Sequence, residues 1–342
     1  MHAELHRVES GNGWKIALWR YNGGGPPVIM CHGLLANRFS LDLNEKYSLA
    51  KYLAKKKFDV WLLELRGRGR GYKRSYSPFM QPLKYDWNFD TYVEQDVPSA
   101  INYVKNIRRE EILWLGHSMG GMLAYAYAKD FKGVVAIASP AKFDEAIKNL
   151  NEISQQLPFS IYQLAKAYSL IKGHAFWLPL FAGSAADADL IDETTKKKMV
   201  ELLVNEENVE RGVLNEYLMK AGDVTSTKVL SQFLFWAETN ELCKYPRFPM
   251  MCKKFLKNPL LRKFFCPLSY PLKNFTHPIL FIAGDKDKLA PPSAVKYAYE
   301  NVSSKDKEYI ELEGYGHCDM IIGKNAKEEV YEPIYEWLSE HA

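Results

Sequence analysis

The sequence predicts an α/β protein: a mostly parallel central sheet flanked by helices, interrupted by one helical insertion. Three observations predict it. Short apolar runs alternate with helical segments up to about residue 140. Those runs are continuously apolar, as in strands buried on both faces. The rhythm then breaks near residue 141 and resumes near 278 with another run of the same kind, PILFIAGD. Helical crossovers between buried strands call for parallel pairing.

Taken in order, KIALWRY (15–21) reads as a strand, GGGPP (23–27) as a turn and VIMCH (28–32) as a short buried strand. Helical spacing runs over 44–56, with Tyr47, Leu49, Ala50, Leu53 and Ala54 on the apolar side. FDVWLLEL (58–65) is a strand, followed by the arginine- and glycine-rich loop RGRGRGYKRSYSP. A helix covers 90–107, a strand 111–117, a helix 119–129 and a strand 133–140. From 141 to 276 the pattern is helical, with segments at 143–156, 195–205 and 225–239 and no convincing buried strand. The strand 278–285, a helix near 292–301, the strand 307–312 and a helix near 325–340 complete the chain. The expected division is a core of 1–140 with 277–342, and a helical cap of 141–276.

The segment EEILWLGHSMGGMLAYAYA places Gly-His-Ser-Met-Gly between a strand and a helix. Such a G-x-S-x-G turn is a nucleophile elbow: its backbone is tight, its neighbours must be small, and it lifts the serine above the strand ends. Ser118 is therefore the candidate nucleophile. A serine hydroxyl needs a base to take its proton. In the chain order serine, acid, histidine, that base falls after the last strand, where His317 stands in EGYGHCDMIIGKNA. The acid falls in FIAGDKDKLAPP, where Asp287 is preferred over Asp285 because it lies further into the loop. Asp319 is too near His317 along the chain for that role. The tetrahedral oxyanion needs two donors. They are assigned to the N–H of Met119, next after the nucleophile, and to the N–H of Leu34 in the loop CHGLLANRF, where Gly33 permits close approach. His117 is expected to point away into the elbow, and His32 to sit in a loop network.

With these residues in order, the chain resembles the α/β-hydrolases, and within them the acid lipases of the gastric and lysosomal kind. HGLLAN (32–37), FDVWLLELRGRG (58–69), FDTYVEQDVPSAINYV (89–104), GDKDKLAPP (284–292) and GHCDMIIGKNAKEEVYEPI (316–334) are similar, in the same order, to segments of that family. The elbow differs, reading GHSMG where those lipases carry GHSQG. The resemblance implies a Ser118–His317–Asp287 triad, an oxyanion hole of Leu34 and Met119, and hydrolysis of carboxylic esters with a hydrophobic acyl or alcohol group. A thioesterase or acyltransferase would use the same parts; a slow-turnover ligand sensor is the alternative of a different class.

Composition bounds the partners. A net charge of +4 on 342 residues is too mild to point to nucleic acid. The five cysteines have irregular spacing and no C-x-x-C pair, so neither a metal nor a cofactor is expected, and free thiols in a reducing compartment are. The N-terminus lacks a basic start with an apolar block, which points to a cytoplasmic location. Aromatic residues of the insertion (Phe159, Tyr162, Phe176, Trp177, Phe181, Phe233, Phe235, Trp236) are expected to hold the cap together and in part to wall a pocket. The basic and apolar stretch 244–265 reads first as a cap hairpin with snorkelling lysines, and second as a peripheral contact with an anionic membrane or lipid surface. Arg66, Arg68 and Arg70 read as a solvated loop with one arginine paired to a structural acid, or as an anion site.

Overall fold

A computed structural model describes residues 1–71, 85–154, 175–176, 193–246, 249–255, 258–266 and 268–342. Its main sheet has eight strands: β1 (Glu4–Glu9), β2 (Lys15–Asn22), β3 (Pro27–Cys31), β4 (Asp59–Glu64), β5 (Ile112–His117), β6 (Phe131–Ile137), β9 (Ile279–Gly284) and β10 (Lys307–Leu312). Their order across the sheet is β1-β2-β4-β3-β5-β6-β9-β10. The pairs β1/β2 and β2/β4 are antiparallel and the rest parallel. The fold class is the one the sequence predicts. The edge strand β1 was not legible: ELHRVE alternates half-buried and exposed positions and carries charges, as an edge strand does.

Strands β3, β4 and β5 are buried at every position, which explains their unbroken apolar runs. From β3 the chain steps one way to β4, and then to the other side of β3 to form β5. In an open α/β sheet that reversal opens a crevice at the carboxyl ends of the two strands, the default ligand position. The loops after β3 and β5 both deliver residues there.

The helices are mostly shorter than the spacing predicts. Helix α1 spans Leu49–Lys55 rather than 44–56, because Ser48 caps it: its hydroxyl accepts from the Lys51 amide at 2.9 Å. Helix α2 (Phe89–Thr91) opens on a capping box between Asn88 and Thr91, then runs through a π turn (Tyr92–Asp96) into α3 (Val97–Arg108). Helix α4 (Met119–Tyr127) follows the elbow. The Trp114 indole of β5 donates to the Gly120 carbonyl at 3.0 Å, tying the strand to the start of α4.

Because β6 pairs directly with β9, everything between them leaves the sheet and returns to it. That excursion contains α5 (Asp144–Ser154), α6 (Glu193–Leu203), α7 (Arg211–Ala221), α8 (Thr227–Thr239), α9 (Pro249–Phe255) and α10 (Pro259–Phe265). It also holds one two-residue antiparallel pair, β7 (Ala175–Phe176) with β8 (Thr225–Ser226), where only helices and loops were expected. After β9 come α11 (Pro292–Asn301), β10 and a short α12 (Asp319–Ile322). The last expected helix is a π turn (Lys327–Tyr331) running into α13 (Glu332–Glu340).

Candidate active site

The turn between β5 and α4 is strained at one residue. Ser118 has φ 53° and ψ −118°, a left-handed conformation rare for a side chain with a Cβ. The surrounding glycines are obligatory. A Cβ on Gly116 would lie 2.2 Å from the carbonyl carbon of Gly120, and one on Gly120 would lie 2.3 Å from the Cys31 carbonyl oxygen. Ser118 is half-buried, and its hydroxyl has no hydrogen-bond partner among the described residues. It stands where α4 begins, so the Met119 N–H is one of the unpaired amides of a helix N-terminus.

On the loop after β10, His317 Nδ1 lies 2.7 Å from Asp287 Oδ2, with both side chains buried. The other carboxylate oxygen of Asp287 accepts from the amides of Leu289 (2.8 Å) and Ala290 (2.7 Å), which fixes the carboxylate plane. Asp285, the alternative acid, instead accepts from the Gly314 amide at 2.7 Å and braces the loop. Since the carboxylate can only accept, the Nδ1 nitrogen carries the proton and Nε2 is left with its lone pair.

Ser118 and the His317–Asp287 pair meet through His117. Contrary to the expectation that it points away, its Nε2 lies 2.9 Å from the backbone carbonyl of His317, and the two rings are 4.9 Å apart. The carbonyl can only accept, so Nε2 carries the proton and the buried Nδ1 has no partner among the described residues. Burial, then the neighbouring His317, holds His117 near a pKa of about 3, so it stays neutral. The elbow thus holds the histidine loop by its backbone. A direct hydrogen bond from Ser118 to His317 is not formed in this structure.

Asp319, set aside in the sequence as a triad acid, anchors that loop. Its carboxylate accepts from the Gly316 amide (2.9 Å), the Asn208 side chain (3.0 Å) and the Asn205 amide (3.3 Å). Burial raises its pKa despite these donors. The Cys318 amide donates to Leu203 O at 2.7 Å and Asn205 Nδ2 to Gly314 O at 2.8 Å. Residues 203–208, part of the excursion, therefore clasp the histidine loop. No spacing in the sequence announced this.

Across the crevice, the β3 loop brings Gly33 against the nucleophile: a Cβ on Gly33 would be 3.2 Å from the Ser118 Cβ. The Leu34 N–H has no acceptor among the described residues. His32 is wholly buried. Its Nε2 accepts from the Leu65 amide at 3.4 Å, which leaves Nδ1–H to donate to Gly33 O at 2.9 Å. Burial, then the Arg68 charge, lowers its pKa to about 3.

The arginine loop corrects the expectation of a solvated run. Arg66 is buried and pairs with buried Asp96, Nε to Oδ1 at 2.8 Å, as one arginine was expected to. Arg68 is also fully buried, and it bonds backbone carbonyls instead of an acid: Gly33 O at 3.2 Å and Ala36 O at 3.0 Å. Only Arg70 of the three is exposed.

The cysteines also correct their expectation. Cys252 and Cys266 form a disulfide joining α9 to the end of α10; Cys31, Cys243 and Cys318 are free and buried. The inference of a reducing compartment from five free thiols loses its footing. Of the aromatic candidates, Phe235 and Trp236 are buried and Phe233 half-buried, all in one cluster with Phe89 and Phe143. Phe159, Tyr162, Trp177 and Phe181 lie outside the described residues, as does the side chain of Phe176. No described helix is long and apolar enough to cross a membrane.

Comparison with known proteins agrees with this fold. Residues 26–324 match the family model described as alpha/beta hydrolase fold. Gastric triacylglycerol lipase of Bos taurus is 24% identical, with 99% of this chain and 88% of the lipase aligned. Triacylglycerol lipase 2 of Arabidopsis thaliana is 23% identical over 99% of this chain and 82% of its own length. Among solved structures, a soluble variant of the Saccharomyces cerevisiae monoglyceride lipase, in complex with a substrate analog, superposes with a TM-score of 0.61 at 16% identity, over 100% and 96% of the two chains. A thermophilic esterase from Thermogutta terrifontis gives 0.60 at 17% identity, over 99% of each. The lipase relatives span the chain nearly end to end, which bears out the resemblance to acid lipases. A serine elbow at the switch point of this sheet, within a family match over most of the chain, places it: the chain belongs to the alpha/beta hydrolase fold family.

Proposed function

We propose that this chain is a serine hydrolase of carboxylic esters with a hydrophobic acyl or alcohol group, working through an acyl-enzyme. The observation that carries the reading is the buried 2.7 Å contact of His317 with Asp287 on the loop bound to the serine elbow. Its relatives named as lipases and esterases support ester hydrolysis. Ser118 Oγ attacks the acyl carbon as its proton passes to His317 Nε2. The N–H groups of Leu34 and Met119 hold the oxyanion. Collapse expels the alcohol, which takes the proton from His317. Water then attacks the acyl-enzyme by the same route and releases the acid and Ser118. Asp287 keeps the imidazole in its Nδ1–H tautomer and stabilises the imidazolium. Residues 141–276 act as a cap over the strand ends and choose the substrate.

The experiment is hydrolysis of p-nitrophenyl esters from short to long acyl chains, with Ser118→Ala as control. We expect turnover that falls by about 10^5-fold or more in the variant. A folded Ser118→Ala protein with wild-type turnover excludes Ser118 as the nucleophile. Product analysis with water or an added alcohol or thiol as acceptor separates hydrolysis from acyl transfer.

We further propose that the α9–α10 hairpin rests on an anionic lipid surface. Leu260, Phe264 and Leu268, at fourfold spacing, are 71%, 77% and 77% exposed. No acidic residue occurs between Glu241 and Asp285, while lysine and arginine recur there. Large protruding apolar groups beside an excess of cations, of which Arg262 pairs with Glu241, suit an interfacial element. Co-sedimentation with phosphatidylserine vesicles tests it, and equal binding to neutral vesicles would remove the electrostatic part.

A further inference from the structure

We propose that Arg68 is the positioning residue of the oxyanion site: its guanidinium holds the Gly33 carbonyl and thereby aims and polarises the Leu34 N–H. The inference rests on the reading of Leu34 as an oxyanion donor.

The argument begins with an anomaly. Arg68 is fully buried, yet no carboxylate bonds it among the described residues. Arg66, two residues before it and equally buried, has Asp96. Burying a cation without a counter-charge costs several kcal/mol, so the position of Arg68 calls for a reason. Its donors go to three acceptors: Gly33 O, Ala36 O and, at 2.8 Å from Nη2, Thr225 Oγ1. Two of the three lie in the β3 loop.

The Gly33 carbonyl and the Leu34 N–H belong to one peptide unit. No peptide bond among the described residues is cis, so the two groups point in opposite directions. The carbonyl is turned inward and held from two sides, by Arg68 Nη1 and by His32 Nδ1. The amide must therefore face outward, on the side where Gly33 lies against Ser118. A single neutral partner would fix the direction; a cation does more. A carbonyl bonded to a charged donor draws electron density from its own N–H and strengthens it as a donor, by about 10–30% per linked bond. Among the described residues no carboxylate bonds the charge, and a further anion forms beside it when the acyl carbon becomes tetrahedral. Interactions realised in the transition state raise kcat without tightening substrate binding.

The third contact reaches the excursion. Thr225 is fully buried at the start of β8, and the Asp223 amide beside it donates to Leu35 O at 2.8 Å. The same guanidinium thus joins the oxyanion loop to the segment that leads into α8.

The test compares Arg68→Met and Arg68→Lys with wild type. Active sites are counted by stoichiometric reaction with an alkyl p-nitrophenyl phosphonate. We then measure kcat per titrated site, KM, and inhibition by an alkyl trifluoromethyl ketone, whose hemiketal places an oxyanion in the site. For Arg68→Met we expect kcat per site to fall about 30-fold, KM to stay within about threefold, and the ketone to bind more weakly by a factor similar to the loss in kcat/KM. Arg68→Lys keeps the charge and one donor and should recover part of the loss. A merely structural role predicts fewer titratable sites, each with wild-type kcat and ketone affinity, and that result overturns the proposal. If Arg68→Met does not fold, Arg68→Lys decides: a loss of about three- to tenfold per site supports the assignment, and kcat per site within about twofold of wild type overturns it. Ser118→Ala is the separate arm. Activity retained there removes the hydrolase reading itself; activity lost there but kept in the Arg68 variants removes only the role of Arg68.

Discussion

The sheet rim around Ser118 and the hairpin of α9 and α10 depart from the ordinary distribution of side chains in opposite ways. At the rim, polar groups are buried: His32, Arg68, His117, Asp287, His317 and Asp319 all lie out of solvent. At the hairpin, large apolar groups are exposed, with Phe264 and Leu268 the furthest out. Soluble proteins usually avoid both, which is why each is informative. The rim sets polar groups in fixed directions, held by backbone amides and carbonyls or by one another. The hairpin is held by a disulfide and offers a surface without requiring precise directions. On the proposed reading the difference separates chemistry from approach: the sheet supplies orientation, and the hairpin supplies contact with a lipid surface.

The largest expected effect breaks the rim. Asp287→Asn leaves the geometry near His317 but favours the wrong tautomer, and kcat should fall by about 10^4-fold. Asp285→Asn, which loses the ion pair with Lys286 and weakens the bond to the Gly314 amide, should change kcat by less than about tenfold, apart from some loss of stability. Equal effects of the two substitutions on p-nitrophenyl ester turnover would contradict the assignment of the acid. A smaller effect isolates the hairpin. The double variant Phe264→Ser with Leu268→Ser should weaken vesicle binding by about tenfold or more while turnover of a soluble short-chain ester stays unchanged. Loss of soluble turnover in a folded variant would join the two regions that the comparison separates.

The smallest effect is on stability. His117 has a folded pKa near 3 against about 6.5 when unfolded. The stability it contributes is therefore complete above about pH 6.5 and is lost as the pH falls toward 3, at about 1.4 kcal/mol per pH unit. The buried carboxyls Asp96 and Asp319, raised by burial, act in the opposite sense. Comparing wild type with His117→Asn cancels them. Urea unfolding at about pH 7.5 and about pH 5 should show the variant losing less stability on acidification, by about 1–2 kcal/mol. Equal slopes would mean that His117 is not held neutral.

Much of this was legible in residue order. Unbroken apolar runs identify β3, β4 and β5 because strands covered on both faces leave no position for a polar residue. The elbow is visible because its strained backbone tolerates only small neighbours, so the glycines are written into the local sequence. Asp287 could be preferred over Asp285 because two residues along a loop change which way a side chain can reach. Helix starts were less visible, since a cap such as Ser48 decides them through one side chain. The disulfide joins cysteines that are 14 residues apart in no recognised spacing, and only the folding of the end of α10 against α9 brings them together.

What the sequence alone determined is the local part: the buried strands of the main sheet, the turn that exposes Ser118, and the order in which serine, acid and histidine follow one another. What only the tertiary structure decided is the company each polar group keeps. Arg66 and Arg68 stand in the same glycine-rich repeat, yet one meets a carboxylate and the other meets the carbonyls of the loop beside the nucleophile. The physical reason is that a backbone carbonyl carries no residue identity. Any chain segment can present one, so an arginine that bonds carbonyls has no partner that can be read from sequence, and its place appears only when the chain has folded around it.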